Sequence, residues 1–408
     1  MEINNKNQEI PSQSEADEPI IGLGLMLVMA IACGAMAANL YYAQPLIGVI
    51  GRDLGIASDR LGFIVMLTQF GYCAGLLVIV PLADRFENRR LILILTAGAA
   101  IGLTLVAFSQ SMILFLAASM MVGICSVGAQ VLVPLAAHLA QPERQGRVIG
   151  FIMAGLLTGI MLARPLSSAL TEYLGWRAAF FAPALLMVLL WLVLAQSLPR
   201  RKPNGSENPL QVIRSMAALF REFPQLRHRS FYQACLFAAF NLFWTASPLA
   251  LQARFGLSQG GIALFALAGA GGALAAPLAG RLADRGWTRS GSIGAMAVAG
   301  ICFAATGPAV ATLSLAMLVF LAIMIDAATQ MNQVLGQNVI YRLAPQSRGR
   351  INAMYMSIIF IGGGMGSLVA PLLYDRMGWA GCAIAGTILA LVPLAAKLIT
   401  AAADSRST

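Results

Sequence analysis

One acidic residue, Asp326, lies in the interior of a long apolar segment. The predicted helix around it runs from about Thr312 to Arg342, so Asp326 is ~21–24 Å from either end at the usual helical rise. An unpaired carboxylate at that depth in a hydrocarbon layer costs at least ~2.5–3.5 kcal/mol, so it either carries a proton or faces water or a partner. Asp326 is therefore the main candidate for binding and releasing a proton.

Three glutamines extend the polar face of the same predicted helix. Gln330, Gln333 and Gln337 follow Asp326 at i+4, i+7 and i+11, which forms one continuous stripe on an α-helix. The stripe predicts a face that meets water or a small polar ligand. Hydrogen bonding between neighbouring helices is the alternative for each glutamine.

Arg164 is the one basic residue inside an apolar segment, at ~25 Å along the predicted helix from Arg147. It either binds a substrate or partner, or extends its long side chain outward to the membrane surface. Aromatic residues in such segments often anchor the membrane interface instead of binding ligands. Further candidates for binding a small molecule are the polar and aromatic side chains of Asn39, Tyr42, Gln44, Gln130, Asn241 and Trp244.

The elements that must position these residues are membrane-spanning helices. The chain has 408 residues, of which 59% are hydrophobic and 11% charged, and its mean hydropathy is +0.77. Twelve apolar runs between residues 20 and 400 are each long enough to cross ~30 Å of hydrocarbon as a helix. This pattern excludes an ordinary soluble protein. It predicts an all-α polytopic membrane protein with twelve transmembrane helices.

The net charge of +10 would suggest a nucleic-acid partner in a soluble protein, but here the basic residues are distributed by side. If the chain starts in the cytoplasm, 21 Lys and Arg lie on the cytoplasmic side and five lie outside. That asymmetry predicts a multi-pass protein of the bacterial inner membrane with both termini cytoplasmic, surrounded by lipid and binding no nucleic acid. Residues 1–19 are predicted to be a disordered cytoplasmic tail, and 403–408 a short one.

An internal repeat divides the chain into two halves. PLADR at 81–85 matches RLADR at 281–285, and PERQGR at 142–147 matches PQSRGR at 345–350. NLYYAQP and NLFWTASP, and two copies of Gly-Trp, repeat in the same order. We predict two six-helix halves in parallel repeat, 20–198 and 231–402, joined by a cytoplasmic linker at 199–230. In such repeats the substrate site lies near the midplane between the halves.

The repeated LADR loops place Asp84 and Asp284 at the C-terminal ends of predicted helices. The helix dipole is negative there, so an acidic side chain needs a cationic partner or the N-terminus of a neighbouring helix. Arg85, Arg89 and Arg285 are the local cationic candidates.

These motifs resemble the major facilitator superfamily, and more narrowly its twelve-helix drug/proton antiporter family. The nearest resemblance is to the bacterial nucleoside and arabinose exporters, through NLYYAQP, PLAAHLAQPERQGRVIG, LARPLS and QNVIYRLAPQSRGRIN. The resemblance covers about residues 20–400. It implies that Asp84 docks on the start of the eleventh helix and latches the halves together on the cytoplasmic face, with Asp284 as its repeat counterpart. The alternative is that both loops are solvated and only set the topology.

The resemblance implies a secondary active transporter, and Asp326 favours proton-coupled efflux of a small organic molecule such as a drug-like compound, nucleoside or sugar. A facilitated uniporter is the alternative. The family has an arginine in its fourth helix, at a position that should fall near Ser119, and this chain has no basic residue there. A non-transporting membrane sensor or scaffold is a third class.

No enzymatic activity, metal site or cofactor is predicted, since the only histidines are His138 and His228 and no catalytic motif occurs. The expected partners are a small-molecule substrate and protons, and the expected state is a monomer.

Overall fold

The computed structural model describes residues 21–83, 85–201, 209–272 and 275–404, and every regular element in these ranges is a helix. The predicted tail 1–19, Asp84 and residues 405–408 lie outside the described residues. The first half contains α1 Leu23–Ala38, α2 Ile47–Asp53, α3 Phe63–Leu82, α4 Asn88–Ala107, α5 Met112–Ser126, α6 Gly128–Leu139, α7 Gln145–Leu174 and α8 Ala178–Ser197. The rest contains α9 Pro209–Glu222, α10 Pro224–Phe255, α11 Gln259–Ala266, α12 Ala268–Gly272, α13 Ala275–Asp284, α14 Thr288–Ala311, α15 Leu315–Leu343 and α16 Arg348–Asp404.

Ten helical segments in the described ranges are long and apolar enough to cross a membrane. One of them, Arg348–Ile399, has 52 residues and bends at Gly378, whose φ of 62° lies in the left-handed region that glycine adopts without strain. The shorter α1 is followed by a 3₁₀ turn at Gln44–Leu46 and by α2. The predicted count of twelve requires α16 to cross twice and α1 with α2 to cross once. That exact count stays a prediction.

The two halves repeat the same packing arrangement. In the first half α1 packs along α7, α3 along α5, and α4 along α8. In the second half α10 packs along α16 before its bend, α13 along α15, and α14 along α16 after its bend. Glycine allows close approach of two of these helices, α16 and α10. A methyl group at Gly362 of α16 would lie 3.0 Å from the carbonyl carbon of Ala234 of α10. The predicted parallel repeat is confirmed at the level of the fold.

The segment that joins the halves contains the amphipathic helix α9. Its apolar side chains Val212 and Met216 are buried against Leu77 of α3 and Ala353 of α16. The next helix, α10, already begins at Pro224, inside the predicted linker 199–230. One short helix therefore contacts both halves.

Two faces of the bundle are distinguished by charge and by packing. We call the side that carries the loops with Arg85, Arg201, Arg285 and Arg350 the basic face, and the opposite side the far face. On the far face the halves meet directly. The Glu172 carboxylate accepts a 2.9 Å hydrogen bond from the Gly260 amide, and Gly48 packs against Leu249. The two halves are therefore in contact with each other on the far face.

Candidate functional site

Arg164 projects from α7 into the interior between the halves. Its side chain is 4% exposed, and its Nε donates a 2.8 Å hydrogen bond to Oε1 of Gln44. The guanidinium carbon lies 4.7 Å from the ring centroid of Trp244, 4.9 Å from that of Tyr41 and 5.1 Å from that of Phe240. Three aromatic faces near one cation give favourable cation–π contacts in a site shielded from water. The side chain therefore turns inward, not toward the membrane surface.

Asp326 lies on α15 close to the same aromatic group. Its Oδ1 accepts a 2.7 Å hydrogen bond from Trp244 Nε1, and the residue is 7% exposed. Within the described ranges Asp326 and Arg164 form no ion pair, because the one ion pair there joins Arg177 to Asp53. Trp244 thus contacts both charges: its N–H binds the carboxylate and its ring faces the guanidinium.

Three amide side chains beside this site connect the two halves. Oδ1 of Asn241 accepts hydrogen bonds from Nε2 of Gln44 at 2.8 Å and from Nε2 of Gln69 at 2.6 Å. Gln44 and Gln69 belong to the first half, and Asn241 belongs to α10 of the second. We call these three residues the amide bridge. Because Gln44 also binds Arg164, the bridge joins the buried cation to the contact between the halves.

A cavity between the halves has both charged residues in its lining, and its volume in this conformation is about 70 Å³. That is smaller than the usual small-molecule site, so a ligand larger than a few water molecules requires the halves to move apart. Its lining combines apolar and aromatic side chains with a few polar ones. The lining residues are Leu157, Ile160, Met161, Arg164, Phe237, Phe240, Gly269, Gly272, Asp326, Thr329, Gln330 and Gln333. The lining offers one acid, one base and an apolar surface to a small amphipathic molecule once the cavity widens.

The structure brings together only part of the predicted ligand set. Asp326, Gln330, Gln333 and Arg164 line the cavity, and Trp244, Gln44 and Asn241 are hydrogen-bonded to its charged residues or to one another. The other four predicted residues do not line this cavity. Asn39 donates to Ser126, Tyr42 is buried in the first-half core, Gln130 donates to Tyr72 OH, and Gln337 donates to Asn352. A ligand role for these four stays a prediction.

The sequence analysis missed several residues of the site. Gln69, Tyr41, Phe237 and Phe240 were not among the candidates, although Gln69 interrupts an apolar run in the same way as Gln44. The three aromatic residues carry no sequence signal that separates them from ordinary membrane-facing side chains.

The predicted charged latch is not assembled by the described residues. Arg89 donates to the backbone oxygen of Ala195, which lies in the same half. Arg85, Asp284 and Arg285 are exposed, and the Asp284 carboxylate has no hydrogen-bond or ion-pair partner within the described ranges. Asp84 lies outside those ranges. The latch therefore stays a prediction, without a contact that joins the two halves.

Gly272 brings α12 close to Asp326, and we expect Gly272→Ala to impair transport and lower thermal stability. A methyl group there would lie 2.9 Å from the backbone carbonyl carbon of Asp326, so either the helices separate or the carboxylate shifts. Overpacking of this kind typically costs about 1–3 kcal/mol. Thermal unfolding and transport by the purified protein measure the effect. Gly280→Ala in α13 is the matched control, since a methyl group there meets nothing within 4 Å. Equal behaviour of the two variants would show that the close approach is unimportant.

Two repeated helical halves around a cavity that contains one acid and one base are typical of the class of polytopic membrane transporters. The Major Facilitator Superfamily model matches residues 25–324 and 230–407, so the chain belongs to this superfamily. The superfamily-level resemblance inferred from the motifs is confirmed.

Known relatives and one solved structure agree with that assignment. The chain is 40% identical over 371 residues to a putative uncharacterized transporter, YgaY, of Escherichia coli K12, covering 91% of this chain and 94% of the relative. It is 26% identical over 184 residues to the purine ribonucleoside efflux pump NepI of Shigella dysenteriae, covering 43% and 47%. The fold matches the crystal structure of a point mutant of the nucleoside transporter NupG with a TM-score of 0.73 at 13% identity, covering 92% and 99%.

Proposed function

We propose that this protein is a secondary active transporter that exports a small organic molecule in exchange for protons. The observation that supports this most is Asp326, a carboxylate that lines the cavity between the halves and is hydrogen-bonded to Trp244 of the neighbouring helix. A carboxylate in this position can be reached from one side of the membrane at a time as the halves rock. It can then take up a proton on one side and release it on the other.

The contacts of the site also supply a way to couple binding to rocking. Opening the far face requires the amide bridge to separate, because Asn241 moves with the second half while Gln44 and Gln69 move with the first. Gln44 is hydrogen-bonded to Arg164 as well. A ligand or proton that changes the charge of the cavity therefore acts on Arg164. Through Gln44, Arg164 is hydrogen-bonded to the amide bridge that holds the halves together.

Export is favoured over import by the relative named as an efflux pump. A facilitated uniporter is the alternative, because no basic residue lies near Ser119, where the family's helix-4 arginine is expected. A sensor or scaffold that carries no flux is the alternative from another class. We propose no enzymatic activity.

Proteoliposomes that contain a pH-sensitive dye test the proposal with a panel of drugs, nucleosides and sugars. We expect an outward-directed gradient of one compound to drive protons inward. Substrate flux without proton movement would establish uniport, and binding without any flux would support the sensor. Cross-linking in mild detergent tests the proposed monomer.

We propose that the basic face is cytoplasmic, with both termini on that side, and that the halves are bounded at 20–198 and 231–402. In a variant without native cysteines, Ser206→Cys should resist a membrane-impermeant thiol reagent applied to whole cells. Tyr173→Cys, at an 85% exposed position near the far face, should react rapidly and is the matched control. Equal labelling of both positions from outside would overturn this orientation.

A further inference from the structure

The buried guanidinium of Arg164 has more hydrogen-bonding capacity than the protein uses. Only Nε is engaged, by Gln44, and Nη2 is buried without a partner within the described residues. The aromatic rings around it stabilise its charge through their faces, but they accept no conventional hydrogen bonds from the two terminal nitrogens of the guanidinium, which form a planar fork. An unsatisfied buried N–H costs free energy comparable to a lost hydrogen bond. The planar fork matches two oxygens of a carboxylate or phosphate.

Asp326 has an oxygen atom that can accept a hydrogen bond from a ligand. Its one hydrogen bond in the described structure comes from Trp244 and uses Oδ1, so Oδ2 is available to a further donor. Arg164 and Asp326 are the two charged residues among those that line the cavity. They are close but unpaired, since one indole contacts both: its centroid lies 4.7 Å from the guanidinium carbon and its N–H binds the carboxylate.

Apolar side chains from both halves form most of the rest of the cavity lining. Leu157, Ile160 and Met161 come from the first half, and Phe237 and Phe240 come from the second. The two phenyl rings are nearly parallel, with centroids 5.5 Å apart and an interplanar angle of 9°. Both phenyl rings line the cavity beside the charged pair.

We propose that the substrate is a small zwitterion with an apolar side group, of the chemical class of a hydrophobic α-amino acid. Its carboxylate binds the free fork of Arg164, its ammonium group donates to Asp326, and its side group lies against Phe237 and Phe240. This rests on the transport function proposed above and names the substrate class of the same cavity. It also explains how a zwitterion could exchange for a proton, because a proton on Asp326 removes the acceptor that holds the ammonium group.

The compact geometry favours a zwitterion over a molecule with one charge. An anion would satisfy Arg164 but leave Oδ2 of Asp326 without a donor, and it would meet that carboxylate as a like charge whenever Asp326 is ionised. A cation would satisfy Asp326 but meet Arg164. Only a ligand with both groups close together pairs each charge with its opposite, which avoids the cost of leaving a desolvated charge unpaired.

The test uses four matched compounds on the purified full-length protein in detergent, at a pH near neutrality. L-Phenylalanine carries both charges, 2-phenylethylamine only the ammonium group, 3-phenylpropionate only the carboxylate, and 3-phenylpropionamide neither. L-Leucine with its amine and acid analogues forms a second set for a smaller side group. Affinity is measured by ligand-induced thermal stabilisation and by isothermal calorimetry.

We expect at least one zwitterion to bind about tenfold or more tightly than its singly charged and neutral analogues. Arg164→Gln and Asp326→Asn should each weaken zwitterion binding about tenfold or more. Arg164→Lys, which keeps the charge but not the planar fork, should give a smaller loss. Arg177→Gln is the control, because Arg177 pairs with Asp53 on the far face, outside the cavity. The unfolding temperature without ligand shows whether each variant is folded.

Three results would overturn the inference: no zwitterion of either set stabilises the protein, neutral analogues bind as tightly as zwitterions, or folded Arg164→Gln binds zwitterions as tightly as the unaltered protein. Its failure can be told apart from failure of the transport proposal. Proton-driven export of a neutral compound that Arg164→Gln still binds would refute the zwitterion and leave antiport intact. Zwitterion binding without proton-linked flux would refute antiport and leave the substrate class intact.

Discussion

Replacing Asp326 by Asn is expected to abolish transport driven by a pH gradient, while exchange of substrate at equal concentrations on both sides partly survives. The asparagine keeps the shape and can still accept the hydrogen bond from Trp244 through Oδ1, but it cannot bind and release a proton. Exchange needs no net proton movement, so it requires only that the halves still rock around bound substrate. Proteoliposomes with and without an imposed pH gradient separate the two activities.

Asp53→Asn is the matched control for this experiment. Asp53 is an acid on the far face that accepts hydrogen bonds from Trp176 and Arg177 and lies outside the cavity, so gradient-driven transport should be retained. Loss of both activities in Asp326→Asn, with normal thermal stability, would show that Asp326 is required to bind the substrate and would contradict the expected survival of exchange. Full gradient-driven transport in that variant would remove Asp326 from the coupling mechanism and favour uniport.

Asn241→Leu is expected to shift the protein strongly toward a state open on the far face. The substitution removes both hydrogen bonds by which the second half accepts the amides of Gln44 and Gln69. Each such bond contributes about 1 kcal/mol net, so the loss of two corresponds to a change of more than tenfold in the equilibrium. A single cysteine at Leu249, which packs against Gly48 between the halves, should become about tenfold more reactive.

Thr245→Val tests whether this effect is specific to the contact between the halves. Thr245 lies one turn further along α10 and donates to Ser367, a hydrogen bond within the second half. That variant should lose stability without changing the reactivity of the cysteine at position 249. If both variants open the far face equally, general loosening of α10 explains the result and the amide bridge has no special role.

The fold and part of the site could be predicted because membranes make polar residues conspicuous. Asp326 interrupts an apolar helix, and its stripe places Gln330 and Gln333 on the same face, as the cavity confirms. The repeat that links Asn39 with Asn241 makes α10 the counterpart of α1, and the packing of α1 along α7 and of α10 along α16 agrees with this. The offset of the two LADR loops likewise identified the parallel halves that the packing confirms.

The rest could not be predicted, since it depends on local breaks and on packing between halves. Asn39 and Gln44 were treated as equivalent candidates, but α1 ends at Ala38 and the chain turns before the 3₁₀ turn at Gln44. That break directs Asn39 toward Ser126 in its own half and Gln44 toward Arg164 and Asn241. Helical spacing cannot be extended across such a turn. The inward direction of Arg164 depends on rings from both halves, which spacing does not reveal.

The division of the two buried charges between the halves has a consequence for biosynthesis. The chain emerges from its N-terminus, so Arg164 enters the membrane when its partners Tyr41 and Gln44 are already made, but before Phe240, Trp244 and Asp326 exist. The first half therefore inserts with a cation that only its own residues accommodate. Asp326, arriving later, inserts beside a positive charge that is already in place. Order of synthesis thus favours the half that carries the arginine as the template on which the acidic half assembles.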